Sequence, residues 1–131
     1  MNIDVMHDVL AKSQAGELIF PEVVRRLLDA DVESYFADIA KGEETFYTTD
    51  GNTHVEKMAS PSPPIANEFS FPGIVSAIRA AQADTIRYPE FLKRAADAGV
   101  TGYWAFLTGK KVIYFGRKGE FHVEEFPRPK A

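Results

Sequence analysis

Residues 20–56 read FPEVVRRLLDADVESYFADIAKGEETFYTTDGNTHVE, and residues 88–124 read YPEFLKRAADAGVTGYWAFLTGKKVIYFGRKGEFHVE. The second stretch lies over the first at a displacement of 68 positions, with no gap. Pro21-Glu22 falls on Pro89-Glu90, Arg26 on Arg94, Val32 on Val100, Tyr35 on Tyr103, and His54-Val55-Glu56 on His122-Val123-Glu124. From Ser13 to Lys57, 14 of 45 positions are identical to their mates. Self-similarity at a fixed period is the signature of a repeated structural unit. The chain therefore reads as a tandem duplication of one unit of roughly sixty residues.

Each element can be read twice. Ile3, Met6 and Leu10 fall on one stripe of a helix running to Gln14, with Asn2 placed to cap it. The mate helix runs from Phe71 to Gln82 behind Ser70, and its Pro72 is tolerated in the first turn. Short extended segments are expected over Glu17–Phe20 and Thr85–Tyr88. Pro21 and Pro89 then open second helices, with Glu22 and Glu90 at the positive helix end. These end near Asp31 and Gly99, where a left-handed cap favours glycine.

Three strands follow in each unit, over 32–40, 43–49 and 52–57 in the first. The turns are Lys41-Gly42 and Asp50-Gly51, then Gly109-Lys110 and Lys118-Gly119 in the second unit. The link contains Pro61, Pro63 and Pro64 and should be extended and stiff. The expected fold is α+β: two αα-βββ units related by a pseudo-twofold, with helices packed on antiparallel sheet. One compact domain is expected over residues 1–131, made of a first repeat at 3–58, a linker at 59–70 and a second repeat at 71–127. The tail from Pro127 to Ala131 cannot continue a strand.

Composition narrows the classes. A chain of 131 residues suits one domain and buries enough surface to fold with no metal or cofactor. With no cysteine, disulfides, thiolate catalysis and iron–sulfur clusters are excluded. Residues 1–10 lack the basic region of a secretory signal, and no apolar run reaches the length of a membrane span, so a soluble, cytoplasmic protein is expected. Net charge is −4, which disfavours a general nucleic-acid binder. The first 65 residues carry 5 basic and 12 acidic side chains and the remaining 66 carry 10 and 7, so mutual attraction of the halves is expected.

The two units differ in their strand faces. In the first, Tyr35, Ala37 and Ile39 alternate with Ser34, Phe36 and Asp38. In the second, Tyr103 and Leu107 alternate with Trp104 and Phe106, and the following strand is apolar on both sides: Val112 and Tyr114, then Ile113 and Phe115. Strands apolar on both sides are ordinarily covered on both sides. Cover by the other repeat is expected, with a homodimer or partner surface at Trp104, Phe106 and Phe115 as the other reading.

The segments QAGELIFPEVVRRLLDADVESY and YPEFLKRAADAGVTGYWAFLTGKKVIYFGRKGEFHVEEFP resemble the family known as domain of unknown function 1398, over about residues 3–127. The PE-helix, the YFGRKGE turn and the HVE strand appear in order. The resemblance implies a small bacterial or prophage-borne protein, some relatives carrying the label of phage envelope protein, and implies no reaction.

Candidate chemistry centres on the duplicated His-Val-Glu. Residues two apart on a strand share a face, so His54 projects with Glu56 and His122 with Glu124. If the two strands approached, two imidazoles and two carboxylates would suit zinc, iron or manganese, or acid–base chemistry. Failing that, each pair is a polar contact on the solvent face of a meander. Lys110, Lys111, Arg117 and Lys118 flank the last two turns and are the candidate anion contacts, or else solvated hairpin tips. His7 stands alone. Tyr35 and Tyr103 are expected in the core. No serine-centred triad or phosphate loop is present. The function expected is a non-catalytic binding or interaction module. An enzyme using the His-Val-Glu strands and a nucleic-acid-binding regulator are the alternatives.

Overall fold

The computed structural model describes residues 1–127. Six strands form one antiparallel sheet: β1 (Val32–Asp38), β2 (Glu43–Thr48), β3 (Thr53–Lys57), β4 (Val100–Phe106), β5 (Lys111–Gly116) and β6 (Phe121–Glu125). Their order across the sheet is β3-β2-β1-β4-β5-β6. Four helices accompany them: α1 (Ile3–Gln14), α2 (Phe20–Asp29), α3 (Phe71–Gln82) and α4 (Tyr88–Asp97). Each element of the first half has a counterpart of equal length 68 positions later. The α+β expectation holds.

Local chemistry sets the helix ends. Asn2 and Ser70 accept from the amides of Val5 and Gly73, satisfying first-turn donors left without a helical partner. Pro21 and Pro89 occupy first turns, and the Glu22 carboxylate accepts from the Ile19 amide. Both second helices stop on left-handed residues, Asp31 at φ 63° and Gly99 at φ 81°. At Gly99 the requirement is steric as well, since a Cβ there would lie 2.3 Å from the Glu68 carbonyl oxygen. The segments before the second helices are irregular rather than extended strands, because Phe20 and Tyr88 already belong to the helices.

The two halves join through β1 and β4. Ser34 pairs with Phe106, Phe36 with Trp104, and Asp38 with Gly102. The sheet's inner face carries Tyr35, Ala37, Phe46, Tyr103, Ala105 and Val112 into one core with Met6, Leu27, Ile74 and Ala95 of the four helices. That burial is the main stabilising term.

Two expectations are corrected. The halves do not hold each other by charge: among the described residues every salt bridge lies within one half, as in Asp8–Arg26 and Glu124–Arg79. Nor does one repeat cover the apolar outer strand face of the other. Both halves send their helices to the same side, and the second half extends the sheet of the first edge to edge. The tail beyond Pro127 lies outside the described residues.

Candidate functional site

The sequence-derived candidates separate in space. On β3, His54 Nε2 lies 2.5 Å from Glu56 Oε2, and on β6, His122 Nε2 lies 3.2 Å from Glu124 Oε1. These strands form the two opposite edges of the sheet. Five strand spacings put the pairs roughly 24 Å apart, against metal–ligand bonds near ~2 Å. Both pairs face the helices rather than solvent, and Val55 and Val123 between them take the outer side, 48% and 42% exposed. Each carboxylate has an added partner. Glu56 receives His7 Nδ1 at 2.6 Å and Glu124 receives Arg79 at 2.7 Å. Hydrogen bonds from these groups outweigh partial burial and hold both acids below the usual carboxylate range. Glu56 thus sits between two imidazoles, yet among the described residues no group of three or more His, Asp or Glu side chains is arranged to hold a metal ion.

The basic side chains divide likewise. Lys110 and Lys111 stand at one end of β5 and Arg117 and Lys118 beyond the other. Arg117 donates to the carbonyls of Ile65 and Ala66 at 2.8 and 3.2 Å, so it fastens the connecting segment. Lys118 stands 3.6 Å from Glu68.

Trp104, Phe106 and Phe115 lie together with Phe36 and Tyr47 on the outer face of the sheet. Trp104 meets Phe36 and Tyr47 at 5.4 Å each and Phe106 at 5.6 Å between ring centroids. Register extends this cluster into a row across all six strands: Val55, Thr45, Phe36, Trp104, Ile113 and Val123. The rings shield one another, which leaves the aromatic ones half-buried. The Trp104 Nε1 is buried with no hydrogen-bond partner among the described residues.

A second site has no counterpart in the sequence reading. Between sheet and helices is a cavity of about 230 Å³, walled by Tyr35, Phe91, Tyr103, Val112 and Tyr114, with Phe20 and Phe126 also on its lining. Glu44 is part of its wall. Alternation along β2 sends Glu44 inward with Phe46 and Thr48, and its register neighbour Ala37 is small enough to leave it room. The residue is 5% exposed. Its Oε2 accepts from the Tyr88 hydroxyl at 2.6 Å, and that hydroxyl is 2.8 Å from the Tyr103 hydroxyl. Among the described residues the Tyr88 hydroxyl is the one hydrogen-bond donor to Glu44. Burial lifts the Glu44 carboxyl to about 7, with the Tyr88 hydrogen bond opposing the rise. Burial also pushes the Tyr35, Tyr88 and Tyr103 hydroxyls well above the usual phenol range, so all three stay protonated.

Glu44 was hidden because Glu43-Glu44 follows a turn and resembles a solvated strand start. The available signal was Phe46: residue i−2 of an inward aromatic shares its face. The mate position in the second half is Val112, an apolar core residue. An acid thus replaces a hydrophobe in one half only.

Fold and sites together define a two-layer α+β protein with four helices on one sheet face, an aromatic face opposite, and a buried acid–tyrosine cluster between the layers. The chain belongs to the protein family of unknown function DUF1398, whose family model matches residues 6–125. No curated protein matches the chain. No helix among the described residues is long and apolar enough to cross a membrane.

Proposed function

We propose that this chain is a non-catalytic interaction module of the bacterial and prophage kind, in which two duplicated halves fold as one domain. Its working surface is the outer sheet face, and the occupant is a second copy of the chain. The observation that carries this reading is the unbroken row from Val55 to Val123, which no helix of the described residues overlies. Antiparallel sheets commonly leave one face to water, but that face is then polar. Here three of the exposed large hydrophobics, Val55, Phe121 and Val123, lie on it.

Each end of the face mixes charges: Lys57, Glu43 and Asp38 lie side by side at one end, and Lys111 and Glu125 at the other. A twofold axis between two such faces lays each apolar row on its own copy, the self-complementarity that an isologous dimer requires. Sedimentation velocity of the wild type should show a dimer at roughly 50 µM, a concentration that populates even modest affinities. Val123→Lys changes a half-exposed position at the sheet edge, so it keeps the fold and gives monomer. A wild type that stays monomeric throughout overturns the reading.

A further inference from the structure

We infer that the cavity between sheet and helices is a binding site for a small organic cation, an amine carried on an apolar or aromatic body. This site is independent of the outer sheet face and lies on the other side of the sheet from it.

Three features point to that chemistry. The first is size and lining. The cavity measures about 230 Å³, against roughly 150 Å³ for an apolar cavity that takes benzene, so a ring with a short amine tail fits. The second is the acid. One carboxylate oxygen of Glu44 accepts from Tyr88, the other receives no hydrogen bond from the described residues, and the residue lines the cavity. An ammonium group supplies both the missing donor and the counter-charge, and such charge-assisted bonds are stronger than neutral ones. The third is the aromatic wall. Tyr103 lies 5.5 Å from Tyr114 and 6.3 Å from Phe91, and Phe91 lies 6.1 Å from Tyr114, ring centre to ring centre. Ring faces attract cations, and these rings wall the same cavity as Glu44.

The protein's own cations do not fill this role. Arg87 is held by Asp84 at 2.8 Å and by the Gly16 carbonyl at 3.1 Å, and Arg79 by Glu124. Of the acids along the lining, Asp84 and Glu124 are thus paired, and Glu44 and Glu125 have no salt-bridge partner among the described residues. Phe20 and Phe126 meet edge to face at 5.3 Å on the same lining.

The test is a titration of the full chain with 2-phenylethylammonium, followed by amide chemical shifts, with neutral 2-phenylethanol as the matched control. The amine should shift amides around Ala37, Phe91 and Tyr103 and bind at least tenfold tighter than the alcohol. Glu44→Gln keeps the acceptor for Tyr88, and its amide spectrum reports that it is folded. It should lose tenfold or more in affinity for the amine and leave the alcohol unchanged. No shift at roughly 10 mM amine, where even a millimolar site would be mostly filled, overturns the inference. Equal binding of amine and alcohol, or an amine affinity untouched by Glu44→Gln, overturns it as well.

Discussion

Replacing Glu44 by glutamine should make this protein more stable at neutral pH. Its carboxyl titrates near 7 in the folded chain, from an ordinary value of 4.5. The folded state therefore prefers the protonated acid more than the unfolded state does. That preference is fully present below about pH 4.5 and is lost as pH rises through about 7. A rise of about two and a half pH units, at about 1.4 kcal/mol each, is on the order of 3 kcal/mol. Glutamine carries no charge at any pH and still accepts from Tyr88. The variant should match the wild type near pH 4 and exceed it by up to about 3 kcal/mol at pH 8, or roughly 10 °C in Tm. The titratable groups facing Glu44 are Tyr88 from α4 and Tyr35 and Tyr103 from β1 and β4, all protonated throughout this range, and its register partner Glu56 on β3, whose carboxyl is held below the usual range. Urea unfolding at several pH values, read by the fluorescence of Trp104, the chain's single tryptophan, measures both curves. The difference between them isolates Glu44 from surface groups such as His7, whose bond to Glu56 raises its own pKa. Stability curves that run parallel from pH 4 to 8 would refute the reasoning.

Other consequences are checked by the same unfolding measurement. Phe46→Ala empties a fully buried position and should cost about 3–5 kcal/mol. Gly99→Ala combines φ 81° with a Cβ 2.3 Å from a backbone oxygen, so it should cost well over ~1 kcal/mol, while alanine at the open turn glycine Gly119 should cost only the strain of its positive φ. His54→Ala and His122→Ala should be additive in stability to within about 0.5 kcal/mol, as befits sites far apart; a large coupling between them would mean that the two strand edges communicate.

The architecture was legible wherever the signal was local or repeated. Periodicity placed all four helices and six strands, and the prolines and turn glycines set most boundaries to within two residues. The inward positions of Tyr35 and Tyr103 followed from alternation. What was not legible was non-local. Whether the second meander stacks on the first or extends it depends on which strands meet, and β1 and β4 carry no motif that announces their pairing. That one joint decides the rest. It sends the two His-x-Glu strands to opposite edges, leaves the aromatic row at Trp104 without a helix above it, and brings Tyr88 of one half onto Glu44 of the other. The charge imbalance between halves was real in composition, yet the acids and bases found partners closer at hand.

The central joint also bears on how the protein is made. β1 emerges from the ribosome first, and its partner β4 begins 68 positions later. At about 5–20 residues per second, that interval is roughly 3 to 14 s. From the completion of β3 at Lys57 until β4 arrives, the first half presents the hydrogen-bonding edge of β1 with nothing beside it. An unpaired edge is a template for any other strand. On a crowded polysome, the neighbouring strand nearest to hand is the same β1 on the next nascent chain, so the translation rate through residues 58–99 governs how often the wrong pair forms.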